Sequence, residues 1–93
     1  MAVNRAEVVG VVESLQAHRE PDGATLFYVV PDAEGAGLPP IVPCLATGSR
    51  QRMIERFARP GRRLAIWGVL AMLHGGRVGI EVRWIEFCGR MEA

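Results

Sequence analysis

Three apolar segments of the chain carry a glycine inside them, and this placement restricts the fold more than any other feature. Gly10 interrupts Glu7–Leu15 (EVVGVVESL), Gly68 sits at the centre of Arg63–Leu73, and Gly79 lies near the start of Arg77–Cys88. The valines and isoleucines around them favour strands, because two heavy atoms on Cβ stiffen the side chain and suit a pleated surface. A glycine in such a run offers nothing to pack, so it marks a bulge, a sharp bend or a close backbone approach. A flat sheet has no use for three such positions. A small barrel does, because its strands must coil sharply, and bulges and glycine kinks are the devices that permit it.

The order of the remaining segments fits such a barrel. After the first strand, Glu7–Leu15, the polar stretch Gln16–Gly23 ends in Pro21-Asp22-Gly23, a turn in which proline presets φ and glycine accepts positive φ. Ala24–Val30 reads as the second strand, and the proline- and glycine-rich Pro31–Pro40 as a loop. In the third strand, Ile41–Ala46, Pro43 cannot donate to a ladder, which predicts an edge or a bulged position. Thr47-Gly48-Ser49 then offers a serine cap for a helix from Arg50 to about Ala58, ended by Pro60-Gly61. Met53, Ile54 and Phe57 share one helical face, while Arg52, Arg56 and Arg59 fall elsewhere. Arg63–Leu73 and Arg77–Cys88 form a hairpin around His74-Gly75-Gly76. The 93 residues suit one domain spanning 1–93. Three strands, a helix and a hairpin predict an all-β OB-fold, a five-stranded Greek-key barrel with one α-helix between strands 3 and 4.

Composition narrows the function. The net charge is only +1, but six arginines and one acid between Arg50 and Arg63 give that segment +5 and leave −4 elsewhere, with no lysine anywhere. Cys44 and Cys88 lie in apolar surroundings at a spacing that matches no zinc or redox motif, so two buried free thiols are expected. No apolar run approaches the roughly 18 residues of a membrane span, and the start does not resemble a signal peptide, so a soluble cytoplasmic protein is expected. His18 and His74 both fall in turns, no pair of acids has a recognisable spacing, and Gly48-Ser49-Arg50 lacks the pattern of a phosphate loop. We therefore expect no enzyme, no metal and no cofactor.

Four motifs in order carry a resemblance: Asn4-Arg5 leading into Val8-Val9-Gly10, Pro21-Asp22-Gly23-Ala24, Arg59-Pro60-Gly61, and Ile66-Trp67-Gly68-Val69-Leu70. Together they resemble the bacterial single-stranded DNA-binding protein family, including its primosomal replication protein N-like branch. The resemblance implies an OB-fold, often dimeric or tetrameric, that binds single-stranded DNA without catalysis in replication, restart or repair. Ile41 and Thr47 stand where family members carry stacking aromatics. The chain stops at Gly89-Arg90-Met91-Glu92-Ala93 without the acidic tail of the single-strand-binding branch, so the resemblance leads us to expect the primosomal branch or a stand-alone divergent member.

Sequence-tolerant binding of single strands needs exposed aromatics for bases and a cationic track for phosphates. Alternation places Leu64, Ile66 and Leu70 inside and Trp67 outside with Ala65 and Val69, where it serves a base or a subunit interface. Phe27 and Tyr28 face opposite ways, and tyrosine, with its polar tip, is the better outward choice. Val78, Ile80, Val82 and Trp84 share the face taken as core, with a bulge near Trp84 able to change which side faces inward. Arg77 and Arg83 lie on the other face, and Arg50, Arg52, Arg56 and Arg62 supply the cationic helix and turn. The expected nucleic-acid contacts are therefore Tyr28, Arg50, Arg52, Arg56, Arg62, Trp67, Arg77 and Arg83. The expected partners are single-stranded DNA or RNA, a second subunit in a homodimer, and replication or repair proteins. The alternative from another class is an OB-fold protein-interaction module with no nucleic-acid ligand, in which Trp67 and Val69 are contact area.

Overall fold

In the computed structural model, described for residues 5–32, 40–73 and 75–89, the chain forms β1 (Ala6–Leu15), β2 (Thr25–Pro31), β3 (Val42–Ala46), α1 (Gly48–Phe57), β4 (Arg63–Met72) and β5 (Val78–Phe87). The strands close into a barrel in the order β1-β2-β3-β5-β4. All neighbours are antiparallel except β3 and β5, which run parallel. This is the OB-fold architecture, with α1 between β3 and β4.

Closure depends on β1 serving two neighbours. Its first half pairs with β4 and its second half with β2, and Gly10 belongs to both ladders, opposite Leu64 on one side and Pro31 on the other. A Cβ on Gly10 would stand 2.1 Å from the Val30 carbonyl oxygen, and one on Gly68 would stand 1.9 Å from that of Glu81. Neither glycine has positive φ, so the missing side chain is what the barrel requires at both positions. At Gly79 a Cβ would crowd Leu73 and the Pro43 carbonyl. Two bulges complete the coiling: Glu13 is extra between the Val12 and Ser14 pairings, and Arg83 is extra between those of Val82 and Trp84.

The core is filled by Val12, Phe27, Val29, Val42, Cys44, Leu64, Ile66, Ile80 and Val82, with Ile54 reaching in from α1. Both cysteines are free; Cys44 is buried, whereas Cys88 is only half-buried.

Four local expectations give way. Ser49 lies inside α1, whose N-cap is Thr47, and no side chain caps the helix. Gln51, not Met53, joins Ile54 on the buried face: its amide donates to the Gly23 carbonyl and so satisfies a polar group that is taken out of water. Met53 is exposed. Leu70 is 42% exposed because the β4–β5 hairpin runs on past the core, so that Leu70, Met72 and Val78 meet water although their parity is inward. Pro43 sits in a strand paired on both sides rather than at an edge; the β3–β5 ladder comprises only Cys44 opposite Ile80 and Leu45 opposite Glu81, so Pro43 stands outside it.

The hairpin turn closes through Leu73 N–H donating to the Arg77 carbonyl at 2.7 Å, with Gly75 and Gly76 at φ +89° and +81°. His74, Asn4, residues 33–39 of the loop after β2, and residues 90–93 lie outside the described residues.

Candidate nucleic-acid interface

Strand alternation builds a groove on the outer wall of β2 and β3. With Phe27 and Val29 turned inward, Leu26 and Tyr28 face out; with Val42, Cys44 and Ala46 inward, Pro43 and Leu45 lie on the other side. The β1–β2 loop, at Glu20, Pro21 and Asp22, forms one rim, and the β4–β5 hairpin, at Met72, Leu73 and Arg77, forms the other. The space between has a volume of about 420 Å³. Its floor is apolar, and Tyr28 supplies the aromatic surface, with the Arg77 guanidinium 5.8 Å from the ring centroid.

Two of the three carboxylates around this groove are already engaged. Asp22 Oδ1 accepts from the Ala24 amide at 3.0 Å and shapes the turn, and Glu81 pairs with Arg83 at 2.9 Å. The rim loop is fastened to α1 by a bidentate contact in which Arg19 Nη2 and Nε donate to Glu55 at 2.7 and 3.0 Å. Thr25 Oγ1 donates to the same carboxylate at 2.7 Å. These donors, Arg19 first and Thr25 next, hold the Glu55 carboxyl down at about 2. Burial instead pushes the Cys44 thiol far above its ordinary range, which leaves it unreactive.

Seven of the eight expected contact residues divide among three places, and Trp67 lies on a wall of its own described below. Tyr28 and Arg77 meet in the groove. Arg50 and Arg83 meet at the β5 bulge, where Arg50 Nε donates to the Arg83 carbonyl at 2.7 Å. Arg52, Arg56 and Arg62 stay with α1 and the turn after it. There Arg56 lies over Phe57 and Arg62 over Phe87, each at 5.3 Å, and the two phenylalanine rings meet edge to face at 5.9 Å. Glu55, the acid nearest these arginines in sequence, is taken by Arg19, so the strip is more cationic than its sequence suggests.

Trp67 faces out, as alternation requires, but it is half-buried because Trp84 stacks on it at 5.4 Å with planes 14° apart. Trp84 overturns its placement in the core. The bulge at Arg83 breaks the alternation, so Ile80, Val82 and Ile85 all point inward while Arg83 and Trp84 both point out. Leu26, Pro43 and Leu45 were missed as groove residues, although the period of two that turns Phe27 and Cys44 inward places them opposite.

Among the described residues no group of three or more His, Cys, Asp or Glu side chains is placed to hold a metal, and no helix is long and apolar enough to cross a membrane.

The architecture defines an OB-fold barrel with an open groove on the β2–β3 face, and solved structures share that fold. The mitochondrial single-stranded DNA-binding protein Rim1 of S. cerevisiae superposes with a TM-score of 0.75 at 11% identity, over 99% of this chain and 100% of that one. The small single-stranded DNA-binding protein from Streptomyces coelicolor gives 0.75 at 15% identity, with 95% of each chain covered. The protein PriB from Ralstonia solanacearum gives 0.68 at 21% identity, over 92% of this chain and 98% of that one. No protein-family model matches the sequence. No curated protein matches it either.

Proposed function

We propose that this protein binds single-stranded DNA without sequence preference and without catalysis, as a cytoplasmic homodimer serving replication, its restart or repair. The observation that carries the reading is the pairing of Tyr28 with Arg77 between the two loops. In OB-folds this strand 2–3 face with its flanking loops is where oligonucleotides lie. An aromatic ring offers a stacking platform that every base can use, and the adjacent guanidinium supplies a charge for the phosphate beside it. The neighbours in fold that bind single-stranded DNA support the same assignment.

Arg83 and the α1 arginines extend the cationic track beyond the groove. Arg50 acts on this surface indirectly, by fixing the bulge through the Arg83 carbonyl. The test is anisotropy of a labelled oligothymidine titrated with wild type, Tyr28→Ala and Arg77→Ala. Loss of one stacked base removes about 1–3 kcal/mol, so Tyr28→Ala should weaken binding roughly 5- to 150-fold. An oligouridine run in parallel decides between DNA and RNA. Unchanged affinity in both variants would remove the groove from the site, and no saturable binding at low salt would leave the protein-interaction module as the function.

A further inference from the structure

Helix α1 carries two polar side chains that neither the core nor a phosphate track explains. Glu55 is the one acid among the arginines of Arg50–Arg63, and Gln51 is buried. They stand four residues apart, which sets them one above the other on the same helical face. Both reach the β1–β2 loop.

That loop is gripped on either side of its tip. Before the tip, Arg19 donates to Glu55 through Nη2 and Nε at 2.7 and 3.0 Å; after it, the Gly23 carbonyl accepts from the Gln51 amide, and Thr25 Oγ1 donates to Glu55 at 2.7 Å. The tip is closed by its own hydrogen bonds, from Glu20 N–H to the Ala24 carbonyl at 2.7 Å and from Gly23 N–H to the Glu20 carbonyl at 2.8 Å. A turn closed on itself moves as one piece, so the contacts at its two feet decide where it stands. Between those feet lie Glu20, Pro21 and Asp22, which form one rim of the groove.

Charge separates position from attraction. A carboxylate near a groove that takes a polyanion opposes the ligand, so on charge alone its removal would tighten binding. Glu55 nevertheless accepts three hydrogen bonds, one of them from the hydroxyl of buried Thr25. A bidentate guanidinium–carboxylate fork fixes direction as well as distance, which a single exposed ion pair does not. We propose that Glu55, with Gln51, is a positioning residue that holds the β1–β2 loop where it walls the groove, so that α1 sets the affinity of a groove it does not line. The proposal rests on the groove being where the strand lies.

The test compares the parent with Glu55→Ala, first without nucleic acid. Trypsin must draw the Arg19 side chain into its own pocket. That side chain is 57% exposed, so its pairing with Glu55, not burial, is what withholds it. Cleavage after Arg19, followed by mass spectrometry, should therefore be slow in the parent and faster in Glu55→Ala. Anisotropy of a labelled oligothymidine then reads the groove. Coupling between sites is typically about 5- to 150-fold, and a partly exposed grip belongs at the lower end, so Glu55→Ala should bind about 5-fold more weakly. The log–log salt slope should stay as it was, because no phosphate contact is lost. Gln51→Ala, which cuts the other foot without changing charge, should weaken binding in the same direction. Arg19→Glu combined with Glu55→Arg keeps the net charge, re-forms the ion pair and should restore the parent's affinity. All variants should keep the parent's far-UV spectrum and a cooperative melt. Cleavage after Arg19 at the parent's rate in Glu55→Ala overturns the proposal, as does a reversed pair that folds but restores nothing. A parent that binds while Glu55→Ala binds as tightly or more tightly overturns it alone. A parent that binds no oligothymidine at low salt overturns the groove reading and this one together.

Discussion

Replacing Gly68 by alanine tests whether the missing side chain, rather than backbone freedom, is what the barrel needs. The added Cβ would lie 1.9 Å from the Glu81 carbonyl oxygen, with the Arg83 nitrogen 3.1 Å away. Close C–H···O contacts in sheets lie at about 3.3 Å, so β4 and β5 must part locally by about 1.4 Å. Overpacking costs typically about 1–3 kcal/mol, and the upper end applies because the obstacle is ladder backbone rather than a rotatable side chain. At about 4–8 °C per kcal/mol for a domain of this size, Tm should fall by roughly 12–24 °C. Thermal melts followed by far-UV circular dichroism measure this. The same variant should change tryptophan emission, because the bulge that turns Trp84 outward packs against Gly68. Gly61→Ala is the contrast: nothing lies within 4 Å of its added Cβ, but φ is +91°. Left-handed strain alone costs about 1–2 kcal/mol there. A Gly68→Ala melt within about 4 °C of the parent, the shift expected of a single kcal/mol, would refute the argument.

Acid should loosen the rim loop. Glu55 is held at about 2 in the folded chain, below its ordinary 4.5, so its contribution to stability is complete above 4.5 and is lost as pH falls through about 2. Glu55→Gln should therefore be less stable than the parent at neutral pH, with the gap in urea midpoints closing toward pH 2. Alkylation of native protein should mark half-buried Cys88 and spare Cys44 until the chain unfolds, read by peptide mass spectrometry. If the helix strip carries phosphates, Arg52→Ala with Arg56→Ala should reduce the log–log salt slope of oligonucleotide binding by about 0.7 for each phosphate no longer neutralised. An unchanged slope confines the DNA to the groove.

The strands were legible because their two determinants are local. A period of two turned Phe27 and Tyr28 to opposite faces, and glycine inside apolar runs announced where neighbouring backbones would crowd. Gly10 could be read as a bend from sequence, but that it faces the Val30 carbonyl could not, since that contact exists only after β2 folds back. Leu70 failed for a related reason. Alternation gives the side of a strand, not how far the core extends along it, and β4 outruns the core. Gln51 failed because its partner, the Gly23 carbonyl, lies in a loop remote in sequence.

The misplacement of Trp84 matters most for function. One residue added at Arg83 reverses every later side chain in β5, so Ile85 packs inward and a tryptophan that parity would bury becomes the centre of an outer wall. Sequence signals a bulge poorly, because the extra residue need be neither glycine nor polar, and here the glycine that makes room for it lies on the opposite strand. The same displacement leaves Arg83 outward beside Glu81, at the edge of the groove. Deleting Arg83 removes the extra residue, so Val82, Trp84 and Ile85 then alternate inward, outward and inward without a bulge, whereas closing the bulge with Arg83 kept would turn Trp84 toward the core and set Ile85 against water. The deletion variant should therefore retain the barrel's cooperative melt and an outward Trp84, as should Arg83→Ala, and a loss of the melt or a tryptophan emission shifted to that of a buried indole on deletion would refute this reading of the bulge.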